Sequence, residues 1–236
     1  MIKAVFFDLD DTLYDYKGFM AECEEHLFAI ASEGLGVSPD RCRLAYNRAK
    51  TELYRSRPRD PAIFDWRERI SNLTGRLGRT PDALYTQYLF EQLWDHFMSV
   101  IKPYPDVAPA LEALRRSGRR SGIISNGIRE QQAAKVRELG LAELLDAQTY
   151  SEDVGANKPD RAVFKRGLSE LRVRPEESVM VGDLCPIDIK GGRRSGMFTC
   201  WLRRGAYAGL IPRDSAEQPD FTISCLAQLD AVLRAL

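Results

Sequence analysis

Acidic residues that follow two short apolar runs are the groups in this sequence best suited to chemistry. Asp8 and Asp10 come directly after the run that starts at Lys3, and Asp183 ends the run that starts at Ser178. Three carboxylates gathered at one place repel each other, by roughly 4 kcal/mol per pair at 4 Å and an effective dielectric of 20. A bound cation removes that repulsion, and the all-oxygen ligand set of these segments favours Mg2+ over zinc.

A carboxylate can also attack phosphorus, which divides one difficult displacement into two easier steps. Asp8, at the end of its apolar run, is the candidate nucleophile. Asp10 lies two residues further on, can point the same way, and is the candidate acid and base. The Ser125 hydroxyl and the Lys158 ammonium would bind the phosphoryl oxygens. Lys158 could instead be a surface residue with no role in the site. Asp188, five residues after Asp183, could instead be the N-cap of a helix.

These groups can meet only if the chain brings several strand ends to one edge of a sheet. Short apolar runs that stop at polar residues predict buried strands, and helical patterns of about 10 to 15 residues alternate with them. The sequence therefore predicts an α/β fold with a Rossmann-like parallel sheet. The predicted strands are residues 3–8, 121–125, 178–183, 197–202 and an edge strand at 221–223, and the predicted helices are residues 107–117, 129–139, 161–171, 187–195 and 226–236.

The segment of residues 15–101 interrupts this alternation, because it contains no strand pattern. Four helical patterns occupy it, separated by short polar or glycine-containing stretches. We interpret it as an α-helical bundle inserted between the first two strands. The expected organisation is a core domain of residues 1–14 and 102–236 and a helical cap domain of residues 15–101. The four predicted cap helices are residues 17–33, 39–55, 61–73 and 80–100.

The composition is that of an ordinary globular protein, with 236 residues, 34 basic and 34 acidic side chains and 44% hydrophobic residues. A neutral net charge argues against nucleic acid as a partner. The five cysteines form no C-x-x-C pair, which favours a reducing, cytoplasmic location. The first apolar run is too short for a signal peptide or a membrane anchor. The two histidines, His26 and His96, lie in the predicted cap and are expected to be packing or surface residues.

Four motifs in this sequence, taken in order, resemble those of the haloacid dehalogenase (HAD) superfamily. Each motif is weak alone, but four in this order with suitable spacing are specific, and the resemblance covers essentially the whole chain. The helical insertion after the first motif is similar to the cap of one subgroup of that family. The four motifs are Asp8-Leu9-Asp10-Asp11-Thr12, Ser125-Asn126-Gly127, Lys158-Pro159 and Gly182-Asp183 with Asp188.

The resemblance implies a HAD-like fold and assigns a role to each motif residue. Asp8 would be the nucleophile, and Asp10 would be the acid and base with its backbone carbonyl on the metal. The apolar stretch of residues 184–187 leaves open whether Asp188 meets the metal directly or through water. The residues implied to position or bind the phosphoryl group are Thr12, Ser125, Asn126 and Lys158. The residues implied to hold Mg2+ are Asp8, Asp10, Asp183 and Asp188.

The expected function is a Mg2+-dependent phosphatase that hydrolyses small phosphorylated metabolites through an aspartyl phosphate. The family resemblance suggests glyceraldehyde 3-phosphate, phosphoglycolate, sugar phosphates or nucleotides as substrates, and a monomer or homodimer with no membrane partner. A dehalogenase would not need the acid at Asp10, whereas a phosphomutase keeps both acids and stays open. A catalytically silent binding domain is disfavoured, because such a protein would ordinarily have lost one of Asp8, Asp10, Lys158 or Asp183.

Overall fold

The computed structural model describes residues 1–78 and 82–236, which form two compact units. One unit comprises Met1–Lys17 with Lys102–Leu236 and contains a sheet. The other unit is Gly18–Ile101 and is helical. Within the described ranges, no helix combines the length and apolar character that crossing a bilayer requires.

The first unit is built on a parallel sheet, as the sequence predicts, and the sheet has six strands. The strand order is β3-β2-β1-β4-β5-β6. Because the chain runs outward from β1 in both directions, the order reverses between β1 and β4, and such a reversal opens a crevice at the carboxyl edge. The strands are β1 (Ala4–Phe7), β2 (Arg120–Ser125), β3 (Ala147–Tyr150), β4 (Ser178–Gly182), β5 (Phe198–Leu202) and β6 (Phe221–Ile223).

The prediction missed one strand, β3. Its residues are Ala-Gln-Thr-Tyr, and only the last two are buried. A strand at the edge of a sheet needs no continuous apolar run, because one of its sides faces no neighbouring strand. The apolar pattern that reveals β1 and β4, whose residues are all buried, is therefore absent from β3.

The described residues of the helical unit form four α-helices, which is the number predicted. The predicted third helix of residues 61–73 is wrong at its start, where the chain forms a 3-10 turn, Pro61–Phe64. Asp65 ends that turn and accepts a hydrogen bond from the amide of Arg67 in the first turn of a new helix. Thr80, the predicted start of the fourth helix, lies outside the described residues. The helices are α1 (Tyr16–Leu35), α2 (Pro39–Ser56), α3 (Trp66–Arg76) and α4 (Ala83–Val100).

Five further α-helices accompany the sheet, and they alternate with its strands along most of the chain. The prediction of one helix over residues 187–195 is wrong, because a π-helical turn, Cys185–Ile189, precedes a shorter α-helix. The last predicted helix likewise begins with a 3-10 turn, Leu226–Gln228. The helices are α5 (Val107–Arg116), α6 (Arg129–Glu138), α7 (Arg161–Glu170), α8 (Lys190–Arg194) and α9 (Leu229–Ala235).

Helix α7 packs closely on the sheet and fixes its central strands. Phe6 of β1, Ile124 of β2 and Phe164 of α7 belong to one cluster of buried side chains. Gly167 permits this approach, because a Cβ atom there would lie 2.8 Å from the Ile124 side chain. Burial of such a cluster contributes roughly 25 cal/mol per Å2 of apolar surface removed from water. This packing holds β1 and β2 in place, and with them the residues that follow these strands at the carboxyl edge of the sheet.

Candidate active site

The predicted acidic residues meet where the strand order reverses. Asp8 follows β1 and Asp183 follows β4, and the two strands are neighbours in register, with Phe7 beside Val181. The amide of Asp8 donates to the carbonyl of Val181 at 2.9 Å, so the ladder continues to the first acid. The two carboxylates therefore emerge side by side at one edge of the sheet.

Thr12 joins these two acids. Its hydroxyl lies 3.3 Å from Oδ2 of Asp8 and 3.1 Å from Oδ1 of Asp183. The Thr12 carbonyl in turn accepts from Nε of Arg204 at 3.1 Å, and the same guanidinium pairs with the carboxylate of Asp106. Arg204 thus holds the loop after β1 in the position that lets the Thr12 hydroxyl face both carboxylates.

Three buried carboxylates, those of Asp8, Asp183 and Asp188, form a cluster whose oxygens lie within 4.8 Å of one another. Burial raises the pKa of Asp8 to about 7, although Lys158 lowers it. Burial, with Asp188 and Asp8 nearby, raises the pKa of Asp183 well above its usual range. These directions show that the site disfavours three negative charges unless further positive charge is supplied.

The cluster fits a divalent cation that prefers oxygen ligands. Oδ2 of Asp183 is buried and has no hydrogen-bond partner in the described chain. A buried carboxylate oxygen without a donor is costly, and a metal ion would satisfy it. Because the three ligands are all carboxylates, the donor set suits Mg2+.

Lys158 is buried among these acids and is not the surface residue of the alternative interpretation. Its Nζ lies 2.5 Å from Oδ1 of Asp8 and 2.7 Å from Oδ1 of Asp188. Burial alone lowers the pKa of Lys158, but the two carboxylates outweigh it, and the pKa lies above its ordinary value. Asn126 fixes the Lys158 backbone, since its Oδ1 accepts from the Lys158 amide at 2.7 Å.

Asp188 lies within the π-helical turn, so the N-cap alternative is wrong, because α8 begins two residues later. Its Oδ2 accepts from the amide of Leu184 at 3.1 Å, while Oδ1 faces Lys158. The side chain lies over Gly182, where a Cβ atom would be 2.5 Å from the Asp188 carboxyl carbon. The glycine that ends β4 therefore makes the space that Asp188 occupies.

We expect Gly182→Ala to lower kcat/KM on an aryl phosphate by about 100-fold, the usual cost of displacing a site residue by about 1 Å. The new methyl group would push Asp188 away from Lys158. Gly209→Ala is the matched control, because nothing lies within 4 Å of a Cβ atom there. Steady-state kinetics of the two variants make the comparison. Equal activities would contradict the importance of the Asp188 position.

Asp10 is separate from the three-carboxylate cluster and is bonded to a different set of groups. Its Oδ1 accepts from the Tyr14 hydroxyl, and Lys135 Nζ lies 3.1 and 3.2 Å from its two oxygens. Nε2 of Gln132 lies 3.2 Å from Oδ2 of Asp10 and 2.8 Å from Oγ of Ser125. The structure therefore links Asp10 to Ser125 through one side chain.

Sequence reasoning did not identify Gln132 and Lys135. Both lie on α6, directly after the Ser125 motif, and both side chains are buried. The available signal was their spacing of three residues, which places them on one face of a helix that follows a functional strand end. Seven of its ten residues are polar or charged, so its sequence resembles that of an exposed helix.

Comparison with known proteins identifies the class to which this fold and site belong. The model of the haloacid dehalogenase-like hydrolase family matches residues 2–196. The chain therefore belongs to this family, and it is a hydrolase. The motif resemblance seen in the sequence is confirmed.

Individual relatives are similar over nearly the whole chain. The glyceraldehyde 3-phosphate phosphatase of Methanopyrus kandleri is 33% identical over 237 residues, which cover 100% of this chain and 99% of the relative. A HAD phosphatase from Thermococcus onnurineus has a TM-score of 0.76 at 28% identity and 98% coverage of both chains. A 2-haloacid dehalogenase from Pseudomonas syringae pv. Tomato DC3000 has a TM-score of 0.77 at 30% identity, covering 100% of this chain and 99% of that one.

Proposed function

We propose that the protein is a Mg2+-dependent phosphatase that hydrolyses small phosphate monoesters through an aspartyl phosphate on Asp8. The observation that carries this proposal is the division of the first-loop acids between two environments. Asp8 belongs to the cluster of three buried carboxylates and contacts Lys158. Asp10 lies outside that cluster, and its carboxyl group accepts hydrogen bonds from the neutral amide of Gln132 and the cationic ammonium of Lys135. Two carboxylates in different surroundings suit a nucleophile and a separate acid and base.

The reaction has two steps. A carboxylate oxygen of Asp8 attacks phosphorus while the ester P–O bond breaks, and the Asp10 carboxyl group gives its proton to the leaving oxygen. A water oxygen then attacks the phosphorus of the aspartyl phosphate while Asp10 takes the water proton. The bond between phosphorus and the Asp8 oxygen breaks, which releases phosphate and restores Asp8 as a carboxylate and Asp10 as a protonated carboxyl group.

The remaining site residues would bind the transferred group. Lys158 and the Ser125 hydroxyl supply positive charge and a donor to the phosphoryl oxygens, and Thr12 positions Asp8. Asn126 contributes through the Lys158 backbone that it holds. The side chains of Asp8, Asp183 and Asp188, with the backbone carbonyl of Asp10, would hold Mg2+. The ion would neutralise charge on the phosphoryl group.

We further propose glyceraldehyde 3-phosphate as the first substrate to test, because the Methanopyrus kandleri relative carries that activity in its name. The helical insertion of residues 15–101 is proposed as a cap domain. The enzyme would act in the cytoplasm on small phosphate esters, as a monomer or homodimer. Glycolate, sugar and nucleotide phosphates complete the panel.

The decisive experiment measures phosphate release from an aryl phosphate with Mg2+ and with a chelator in its place. The proposed function requires release that depends on Mg2+. Ranking the panel by kcat/KM then identifies the substrate class. No phosphate release from any ester in the presence of Mg2+ would contradict the proposed function, and chloride release from a 2-chloro acid would indicate a dehalogenase.

Asp10→Asn is expected to lower kcat by about 10² to 10⁴, the range of general acid and base catalysis. The affinity for Mg2+ should hardly change, because the proposed metal contact of Asp10 uses its backbone carbonyl. Measuring activity against Mg2+ concentration separates the two effects. A large rise in the concentration for half-maximal activity would mean that the Asp10 carboxylate itself binds the metal.

A further inference from the structure

Gln132 and Lys135 are two of the buried polar side chains of α6, and the proposed reaction has not used them. Gln132 and Lys135 are 3% and 2% exposed. Lys135 reaches both oxygens of Asp10, and its ammonium also lies 4.8 Å from the centre of the Tyr16 ring. Burying a lysine requires a compensating partner, and here that partner is the proposed acid and base.

The contacts of Gln132 determine which way its amide points. Nε2 faces Oδ2 of Asp10 at 3.2 Å, the carbonyl of Asn126 at 3.1 Å and Oγ of Ser125 at 2.8 Å. A backbone carbonyl only accepts hydrogen bonds, so the Gln132 atom that faces the Asn126 carbonyl is the amide nitrogen. Oγ of Ser125 therefore accepts from Gln132.

Accepting this bond leaves the Ser125 proton for another acceptor. Within the described chain the hydroxyl has only a long contact as a donor, 3.4 Å to the Asn126 carbonyl. The Ser125 oxygen thus accepts a short hydrogen bond, while its proton makes only a long one. Such a hydroxyl can donate its proton to a phosphoryl oxygen of the substrate. Gln132 thus orients the donor as well as the acid.

Gly127, in the second motif, provides the space for this side chain. Its φ is +142°, and a Cβ atom there would lie 2.8 Å from Cγ of Gln132. Any other residue would displace the glutamine from between Asp10 and Ser125. The glycine of the motif and the glutamine five residues later therefore act as one packing unit.

We propose that Gln132 and Lys135 are positioning residues that hold Asp10 and Ser125 in a fixed relation, so that the acid and the phosphate donor act together. This inference rests on the proposed function. Gln132 contacts both groups, and Lys135 contacts both carboxyl oxygens of Asp10. The two residues should therefore have distinguishable effects.

The test compares an alkyl phosphate, whose leaving oxygen needs a proton, with p-nitrophenyl phosphate, which needs it far less. The parameter is kcat/KM, because it covers only the steps up to departure of the leaving group. Gln132→Met removes the hydrogen bonds at similar size. It should lower kcat/KM by about 10- to 100-fold more on the alkyl ester than on the aryl ester, as misplacement of a reacting group does.

A control and a double variant show whether this effect passes through Asp10. Arg137 lies on the same helix with its side chain exposed, so Arg137→Met should leave the ratio of the two substrates unchanged. Asp10→Asn should show the same leaving-group dependence as Gln132→Met. Adding Gln132→Met to Asp10→Asn should change the ratio of kcat/KM on the two esters by less than about threefold, because the part of the effect that passes through Asp10 is not additive.

Lys135→Met is the second variant, and it guards against a Gln132 variant that does not fold. It leaves the Gln132–Ser125 contact in place, so it should lower kcat/KM selectively on the alkyl ester and leave KM for the aryl ester unchanged. Thermal melting checks that each variant is folded.

Two results would overturn the inference. One is an equal loss on both esters in folded Gln132→Met and Lys135→Met, and the other is the absence of leaving-group dependence in Asp10→Asn. A wild-type protein that hydrolyses neither ester contradicts the proposed function itself, and the inference falls with it. Active wild-type protein with uniform losses in the variants contradicts the inference alone.

Discussion

Asp8→Asn is expected to reduce turnover to below a few per cent of the wild-type value on every substrate. An amide is nearly the same size as a carboxylate but does not attack phosphorus, and it is a poorer ligand for Mg2+. Steady-state phosphate release with saturating Mg2+ measures the loss. Because the proposed aspartyl phosphate could not form, the variant should also show no pre-steady-state burst of leaving-group release when substrate is in excess.

Folding provides the control for this variant. The introduced amide would keep an oxygen that can accept from Lys158, and loss of one charge reduces the repulsion among the three buried acids. Burial already raises the pKa of Asp8 to about 7, so the native carboxylate is not a strong source of stability. The melting temperature should therefore change little. Retention of more than a few per cent of activity would show that another residue is the nucleophile.

Lys158→Met is expected to have the second-largest effect, on both activity and stability. Removing one partner of a buried ion pair costs about 3 to 5 kcal/mol, because the remaining charges stay buried. Here two carboxylates, Asp8 and Asp188, lose their shared cation. Loss of a donor to the phosphoryl group should lower kcat by about 10² to 10³ in addition.

Chemical denaturation and kinetics, each with and without Mg2+, separate these two effects for Lys158→Met. Bound Mg2+ should restore part of the stability, because it replaces positive charge in the cluster, but it should not restore kcat. Lys165→Met is the matched control, since Lys165 is exposed on α7 and its loss should change stability by less than about 0.5 kcal/mol. Equal behaviour of the two variants would remove Lys158 from the site.

The meeting of Asp8 and Asp183 could be predicted because its causes are local. Each acid ends a short, largely apolar run, such runs form buried strands, and the ends of parallel strands share one edge of the sheet. The four-residue strand β3 could not be predicted in this way, since only half of it is buried.

The contacts of Asp10 could not be predicted, because their causes lie far apart in the chain. Lys135 is 125 residues from Asp10, and its burial is compensated by that distant carboxylate. In the sequence, α6 has the composition of a solvent-exposed helix. The spacing of apolar residues within one segment predicts which apolar side chains are buried. A polar side chain is buried only where it finds hydrogen-bond or charge partners, and for Lys135 the partner lies in a different segment.

The anchoring of Asp183 and Thr12 by side chains from the end of β5 has a consequence for how the family domain should be delimited. The family match ends at residue 196, yet Trp201 donates to the Asp183 carbonyl at 2.9 Å and Arg204 donates to the Thr12 carbonyl at 3.1 Å. A gene fragment cut at the end of that match would encode every acid of the site but neither of these anchors. The part of the chain that an intact site needs therefore extends past β5. In a chimera of two relatives, the crossover point should lie after Arg204.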